Sequence, residues 1–161
     1  MNQPTLTTHK ISVKIFVKIL IVALIASIAF FGLAYFINSA NRQAVIINNK
    51  KILVDVVKTE AEMARGLGGR RNLPENRGLL FAYDGYYVPK FWMKDMRFSI
   101  DIIWIKDKMV VGFEKNTPVS NQNPLPTYQP KDFVNYVLEV NAGFVDKNQI
   151  KIGDRVEIRQ H

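Results

Sequence analysis

The sequence contains no cysteine and only two histidines, His9 and His161, which lie close to the two ends of its 161 residues. The absence of cysteine excludes a disulfide framework and a Cys-His catalytic pair. Because the interior of the sequence contains neither histidine nor cysteine, we expect no Ser-His-Asp triad and no zinc site with His and Cys ligands. No glycine-rich dinucleotide-binding motif is present either. The sequence therefore predicts no metal and no cofactor.

Negative charge is scarce relative to positive charge, with 14 Asp and Glu against 22 Lys and Arg and a net charge of +8. The basic residues are scattered, apart from one group formed by Arg65, Arg70, Arg71 and Arg77. Nucleic-acid binding would require a basic patch on a recognisable module, so no nucleic-acid partner is predicted. The excess charge indicates attraction to anionic lipid or envelope polymer, or simply a solvated surface.

Charged residues are missing altogether from positions 19–37, which read ILIVALIASIAFFGLAYFI. A helix needs about 20 apolar residues to cross a bilayer, so this segment predicts a transmembrane helix. More basic residues precede it than follow it, which places the N-terminus in the cytoplasm; the residues are Lys10, Lys14 and Lys18 before, and Arg42 after.

A cleavable signal peptide is the alternative interpretation of this segment. Its apolar region usually spans about 7 to 15 residues and ends at a small-x-small site. Here the run is longer, and a cut after Ala40 would have Asn38 three positions back. The predicted organisation is a cytoplasmic N-terminus (1–18), an uncleaved single-pass anchor in the inner membrane (19–37), a linker (38–50) and an extracytoplasmic, periplasmic domain (51–161).

The domain is predicted to be mainly β, an antiparallel sandwich or barrel with one short helix. Thr59 and Glu62 form a capping-box pattern ahead of the helix-favouring run EAEMAR. Short runs rich in β-branched residues predict strands; they lie at 51–59, 78–83, 101–106, 109–114, 133–140 and 150–159. Segment 115–131 holds four prolines, and a long loop of this kind in a compact domain is usually functional or mobile.

Three segments together resemble the DUF192 family of bacterial and archaeal proteins. They read GLGGRRNLPENRGLLFAY, FWMKDMRFSIDIIWI and YVLEVNAG followed by IKIGD. The resemblance implies a compact, mostly β domain that is often exported, and it implies no established function. The chain departs from the family pattern at Gly68, where methionine is usual, and at Asp95 and Met96, where asparagine and threonine are usual.

The motif FWMKDM, residues 91–96, places one lysine among aromatic residues and methionines. Strand alternation would put Trp92, Lys94 and Met96 on one face. If that face lines a pocket, the ammonium must be paired, and Asp101 is the nearest predicted partner. A solvated or structurally paired lysine is the alternative interpretation, in which the lysine stem covers the indole.

A ligand site is the first functional hypothesis, because aromatic walls with a few converging polar groups are typical of one. The predicted binding residues are Trp92, Lys94, Asp101, Trp104, Glu139 and Arg70, with loop 115–131 as a lid. The ligand would be a small anionic molecule, a glycan or an envelope partner. Arg70 could clamp an anion, or it could bond the last carbonyl groups of the preceding helix.

Two further hypotheses stay open. Asp101 and Glu139 could act as the two carboxyl groups of an envelope glycoside hydrolase, provided that they face one cleft about 5 to 9.5 Å apart. Each could equally cap a strand or pair with a nearby basic residue. The third hypothesis is a structural or protein-interaction module that uses an exposed sheet edge or apolar patch.

Overall fold

The computed structural model describes residues 13–40 and 43–159, and the chain divides into two compact units, 1–41 and 42–161. The first unit contains α1 (Val13–Ala40), a helix of 28 residues that includes the predicted segment 19–37. Among its described side chains, large apolar groups such as Ile25 and Phe30 are exposed. In the described parts of the chain, however, no helix combines the length and apolar character that crossing a membrane requires. The membrane span predicted at 19–37 is therefore not found.

The second unit is mainly β, as predicted. Within 43–159 its helices are α2 (Glu60–Arg65) and α3 (Phe144–Lys147). Its strands are β1 (Gln43–Ile47), β2 (Lys50–Val57), β3 (Arg77–Tyr87), β4 (Phe91–Trp92), β5 (Ile100–Lys106), β6 (Met109–Thr117), β7 (Thr127–Tyr128), β8 (Val134–Asn141) and β9 (Val156–Arg159). Strand β1 lies inside the segment predicted as a linker, and its Ala44, Val45 and Ile47 are fully buried.

The predicted capping box forms at the start of α2. The Thr59 hydroxyl accepts a hydrogen bond from the Glu62 N–H at 3.3 Å, and the Glu62 carboxylate accepts one from the Thr59 N–H at 3.2 Å. Two of the N–H groups that a helix start leaves free are thereby satisfied. The helix ends at Gly66, whose φ of +51° favours glycine.

Seven strands form one sheet in the order β6-β5-β8-β3-β2-β1-β9, and β4 pairs with β7 in a separate two-stranded sheet. All pairs in the large sheet are antiparallel except β2 and β3, which are parallel. Parallel neighbours need a crossover connection, and the segment that contains α2 provides it. The domain predicted as an antiparallel sandwich or barrel is therefore built on a mixed sheet with one parallel pair.

The large sheet curls into a half-barrel. Its two outer strands approach each other where Met109 bridges Arg155. The Val110 N–H donates to the Asp154 carbonyl at 2.9 Å, and the Val156 N–H donates to the Lys108 carbonyl at 2.7 Å. Backbone groups that an open sheet would leave unpaired at its edges are satisfied there.

Apolar side chains cover both faces of this sheet. The inner layer includes Ile103, Ile105, Leu138 and Val140 together with Val145 of α3. The outer layer is formed by the other face of the same strands and by the chain that packs over it; it includes Leu79, Phe81, Ile100, Ile102, Trp104, Val137, and also Leu67, Phe91, Met93 and Met96. Burial on both faces explains why residues 102–105 of β5 form a continuous apolar run rather than an alternating one.

Candidate functional site

The FWMKDM segment lies on the outer layer and is not a single strand. Phe91 and Trp92 form β4, and the chain then turns at Lys94 and Asp95, where Asp95 has a φ of +57°. Phe91, Met93 and Met96 are buried, while Trp92 is 46% exposed and Lys94 is exposed. The turn breaks the predicted strand alternation, so Met96 is buried whereas Trp92 and Lys94 are exposed. The lysine is tolerated in this apolar run because it lies on the turn while its neighbours fill the core.

The segment of residues 66–69 after α2, here called the glycine loop, packs closely against this turn. The Gly69 N–H donates to the Asp95 carbonyl oxygen at 2.9 Å. A Cβ atom at Gly68 would lie 2.9 Å from the Arg65 carbonyl oxygen and 3.2 Å from the Lys94 carbonyl oxygen. Only glycine permits this approach without movement of the backbone. The loop thus holds the end of α2 beside the FWMKDM turn.

Between these segments and the sheet lies a cavity of about 160 Å³. Its lining combines apolar and aromatic groups with cations and one carboxyl group; the residues are Met63, Ala64, Arg65, Gly66, Leu67, Phe81, Tyr83, Lys90, Phe91, Trp92, Lys94, Met96 and Glu139. Arg65, Lys90 and Lys94 are exposed, whereas Glu139 is 5% exposed. The cations therefore surround the mouth, and the carboxyl group lies at the floor.

Glu139 extends from β8 into the outer layer. It lies opposite Leu79 of β3 and Ile102 of β5, so both neighbours across the sheet are apolar. Its Oε2 atom is buried and has no hydrogen-bond partner among the described residues. Burial raises the pKa of this carboxyl group to about 8, opposed only by the positive charge of Arg70. At neutral pH Glu139 is therefore a protonated acid that can donate a hydrogen bond.

Tyr83 on the cavity wall is affected by the same environment. Burial, and secondarily the charge that Glu139 would carry, raise the pKa of its hydroxyl to about 12. The phenol thus keeps its proton across the physiological range. Both titratable groups in the interior of the cavity are neutral donors at neutral pH, and positive charge is confined to its rim.

Asp101 belongs to the opposite face of the sheet. It pairs with Val140 on β8, while the adjacent pair joins Ile102 to Glu139. Directly paired residues project from the same face and successive residues alternate, so Asp101 points to the inner layer and Glu139 to the outer one. The structure therefore does not bring these two carboxyl groups into one cleft, as the glycosidase hypothesis requires.

The carboxylate of Asp101 has a structural environment instead. It is fully buried and accepts hydrogen bonds from the backbone N–H groups of Asn116, Gly143 and Val145, at 2.7, 3.1 and 2.8 Å. These bonds connect β5 to β6 and to the start of α3. The predicted ion pair between Asp101 and Lys94 is not formed, because the two side chains lie in different parts of the domain.

The remaining predicted site residues lie near the cavity without lining it. Trp104 is 2% exposed and packs edge-on against Phe91, with ring centroids 5.4 Å apart. Arg70 forms an ion pair with Asp55 at 3.1 Å. Segment 115–131 is no free lid, because its strand β7 pairs with β4, and none of its residues is among those that line the cavity.

Sequence reasoning missed Arg65, Lys90 and Tyr83. Lys90 directly precedes the FWMKDM motif, and Arg65 directly precedes the glycine loop, so proximity to these motifs was the available signal. No pattern pointed to Tyr83, because its contact with the site depends on the pairing of β3 with β8. Among the described residues, no cluster of three His, Cys, Asp or Glu side chains could hold a metal ion.

The second unit matches known proteins over nearly its whole length. The model of the DUF192 family, described as an uncharacterized ACR, matches residues 43–158. A protein of unknown function from Novosphingobium aromaticivorans DSM 12444 is 27% identical, with a TM-score of 0.64 over 71% of this chain and 83% of that one. A Sinorhizobium meliloti 1021 protein described as a "putative transcription regulator" is 26% identical, with a TM-score of 0.65 over 73% of this chain and 92% of that one. No curated protein matches the chain. Because the family match covers most of the sequence, the protein belongs to the DUF192 family.

Proposed function

We propose that the domain of residues 43–159 binds a small organic anion in the cavity between α2, the FWMKDM turn and the sheet. The observation that carries this proposal is the contrast between rim and floor. Three cations surround the mouth, and the only carboxyl group inside is buried without a partner. Aromatic and methionine side chains form the walls between them, which is the usual composition of a ligand site.

The cations of the rim are available to a ligand. Within 43–159, none of Arg65, Lys90 and Lys94 forms an ion pair with an acidic side chain. An anionic group at the mouth would gain charge-assisted hydrogen bonds from them without breaking existing pairs. At about 160 Å³ the cavity is smaller than the roughly 300–1,000 Å³ of drug-sized sites, so it suits a small molecule or one end of a larger one.

A binding role is favoured over a glycoside hydrolase and over transcription regulation. The cavity contains one carboxyl group, and a glycoside hydrolase of the usual kind needs two. Transcription regulation, which is the description of the Sinorhizobium protein, receives no support from the helices of this domain. In the range 43–159 these have six and four residues, too short to act as a recognition helix in a DNA groove.

Isothermal titration of the full chain with straight-chain carboxylates and alkyl phosphates tests this proposal. We expect saturable binding of at least one series and about tenfold weaker binding by Lys94→Ala, because a hydrogen bond to a charged group contributes about 1.5–3 kcal/mol. Lys151→Ala is the matched control, since Lys151 is also exposed but does not line the cavity. Absence of binding, or equal losses in both variants, would contradict the proposal.

The location of the domain is a second part of the proposal. We infer that α1 holds the protein at the inner membrane, with the domain on the periplasmic side. Support comes from positions 19–37, which carry no charged residue, and from the exposed apolar side chains described on α1. Two separate experiments test this location: carbonate extraction of membranes, and protease treatment of intact spheroplasts. Protein released by carbonate, or a domain protected until lysis, would contradict it.

A further inference from the structure

Glu139 presents a hydrogen-bonding group to the cavity that nothing in the domain satisfies. Its Oε2 atom is buried and unpartnered, and its cross-strand neighbours Leu79 and Ile102 have no polar side-chain atoms. A Cβ atom at Gly66 would lie 3.7 and 3.9 Å from its two oxygens, so the glycine leaves space directly above the carboxyl group. A buried polar group without a hydrogen-bond partner destabilises the folded state. A ligand that reaches the floor would remove this cost.

The charged and titratable groups around Glu139 come from every element packed against it. They are Arg65 at the end of α2, Arg70 after the glycine loop, Tyr83 of β3, and Lys90 and Lys94 on either side of β4. None of them is hydrogen-bonded to Glu139 among the described residues. The nearest part of β5, Ile102, is apolar. The cations stay at the exposed rim, so the floor remains an apolar environment with one acid group.

The mouth of the cavity opens beside a second, shallower depression of about 740 Å³. The two share Ala64, Arg65, Lys94 and Met96, and the depression adds Gly68, Gly69, Asp95 and Arg97, so that three cations and one acid line it. An anionic group is therefore best placed at the shared edge, near Arg65 and Lys94, where it also stays in contact with water. The rest of the ligand then has to extend inward along Phe81 and Phe91 towards Glu139.

Resting on the proposed function, we propose that the cavity selects anions whose inner end carries a neutral hydrogen-bond acceptor, such as a ketone oxygen, and that the protonated carboxyl of Glu139 recognises this acceptor. The protonated acid has one O–H to donate. A deprotonated carboxylate has none and would face the acceptor with a lone pair. Binding of such a ligand therefore requires the proton on Glu139, which links affinity to pH.

The probes are straight-chain carboxylates of four to seven carbons that carry a ketone next to the terminal carbon, beside the same chains without the ketone. The ketone accepts but cannot donate, so it distinguishes the two states of Glu139. Titrations use the full chain at pH values from 6 to 9. We expect the best oxo acid to bind about tenfold or more tightly than its unsubstituted counterpart at pH 6. This preference should fall about fivefold between pH 8 and pH 9, because the protonated fraction of Glu139 falls from about one half to about one tenth.

Two variants of Glu139 separate recognition from a purely structural role. Glu139→Gln keeps an N–H donor at every pH, so it should retain the preference for the oxo acid and lose the dependence on pH. Glu139→Leu removes the donor and is compatible with the apolar neighbours, so it should bind both probes equally. Circular dichroism of each variant checks that the fold is intact.

The outcomes distinguish this inference from the proposed function. If carboxylates bind and Lys94→Ala weakens them, but the ketone brings no preference, the role of Glu139 is refuted and the anion site stands. The same holds if Glu139→Gln follows the pH profile of the parent protein. If no probe binds the parent protein at any pH, both proposals fail.

Discussion

The carboxyl group of Glu139 should make the free energy of unfolding depend on pH, and Glu139→Gln should remove this dependence. The pKa of this carboxyl group is about 8 in the folded domain, and its ordinary value, taken for the unfolded chain, is 4.5. Because the folded pKa is raised, the stabilisation is complete below pH 4.5 and is lost as pH rises towards 8. In that window the folded state holds one more proton than the unfolded chain, and stability falls by about 1.4 kcal/mol per pH unit. Between pH 5 and pH 8 the parent protein should lose roughly 4 kcal/mol relative to Glu139→Gln, a large share of the 5–15 kcal/mol of a typical domain.

Urea denaturation of both proteins at pH 5, 6, 7 and 8 measures this difference. Trp92 and Trp104 are the two tryptophans of the chain, and both contact the outer layer or its cavity, so their fluorescence reports the unfolding of this domain. The other described carboxyl groups with a shifted pKa have it lowered, and they do not titrate in this window. A constant difference between the two proteins from pH 5 to pH 8 would refute the buried, protonated state of Glu139.

Three other substitutions test the fold around the site. Asp101→Asn should destabilise the domain by about 2–4 kcal/mol in urea denaturation, because an amide cannot accept all three backbone N–H bonds; a change below 0.5 kcal/mol would contradict this. Gly68→Ala should cost about 1–3 kcal/mol, since its Cβ would lie 2.9 Å from the Arg65 carbonyl oxygen, whereas Gly85→Ala, whose Cβ meets only a tyrosine side chain at 3.5 Å or beyond, is the control with a smaller effect. Thr59→Ala should lower the unfolding free energy by about 1 kcal/mol through loss of the cap, and Thr59→Ser should restore most of it.

The local elements of the domain could be predicted from the sequence because short-range chemistry determines them. The capping box at Thr59 depends on residues three positions apart, and it forms as predicted. Strand β5 follows from its apolar run, although its burial on both faces was not apparent from the sequence. Strand β1 was missed because its apolar run of four residues is too short to predict a strand and is flanked by polar residues. Its place in the sheet depends on pairing with β2, which follows it directly, and with β9, which lies more than 100 residues away in sequence.

The residues of the site were predicted in part, and the error at Asp101 has a specific cause. Trp92, Lys94 and Glu139 line one cavity, but Asp101 was assigned to the same site on the basis of its distance along the chain. Strand register decides this question, because a shift of one residue moves a side chain to the other face. The pairing of Ile102 with Glu139 directs Asp101 to the inner layer, where backbone N–H groups satisfy it.

The β character of the domain, its family, the capped helix α2 and the available reactive residue types could be inferred from the sequence, because they depend on composition, spacing and short motifs. Only the fold separates the two acids: the Oε2 atom of Glu139 is buried without a partner and burial raises its pKa, whereas Asp101 accepts three backbone hydrogen bonds. Both are acidic residues beside apolar strand residues, and nothing in their local sequence separates them. Their difference arises from the groups that the fold packs around each carboxyl: three backbone N–H groups donate to Asp101, whereas the buried Oε2 of Glu139 has no partner and burial raises the pKa of Glu139.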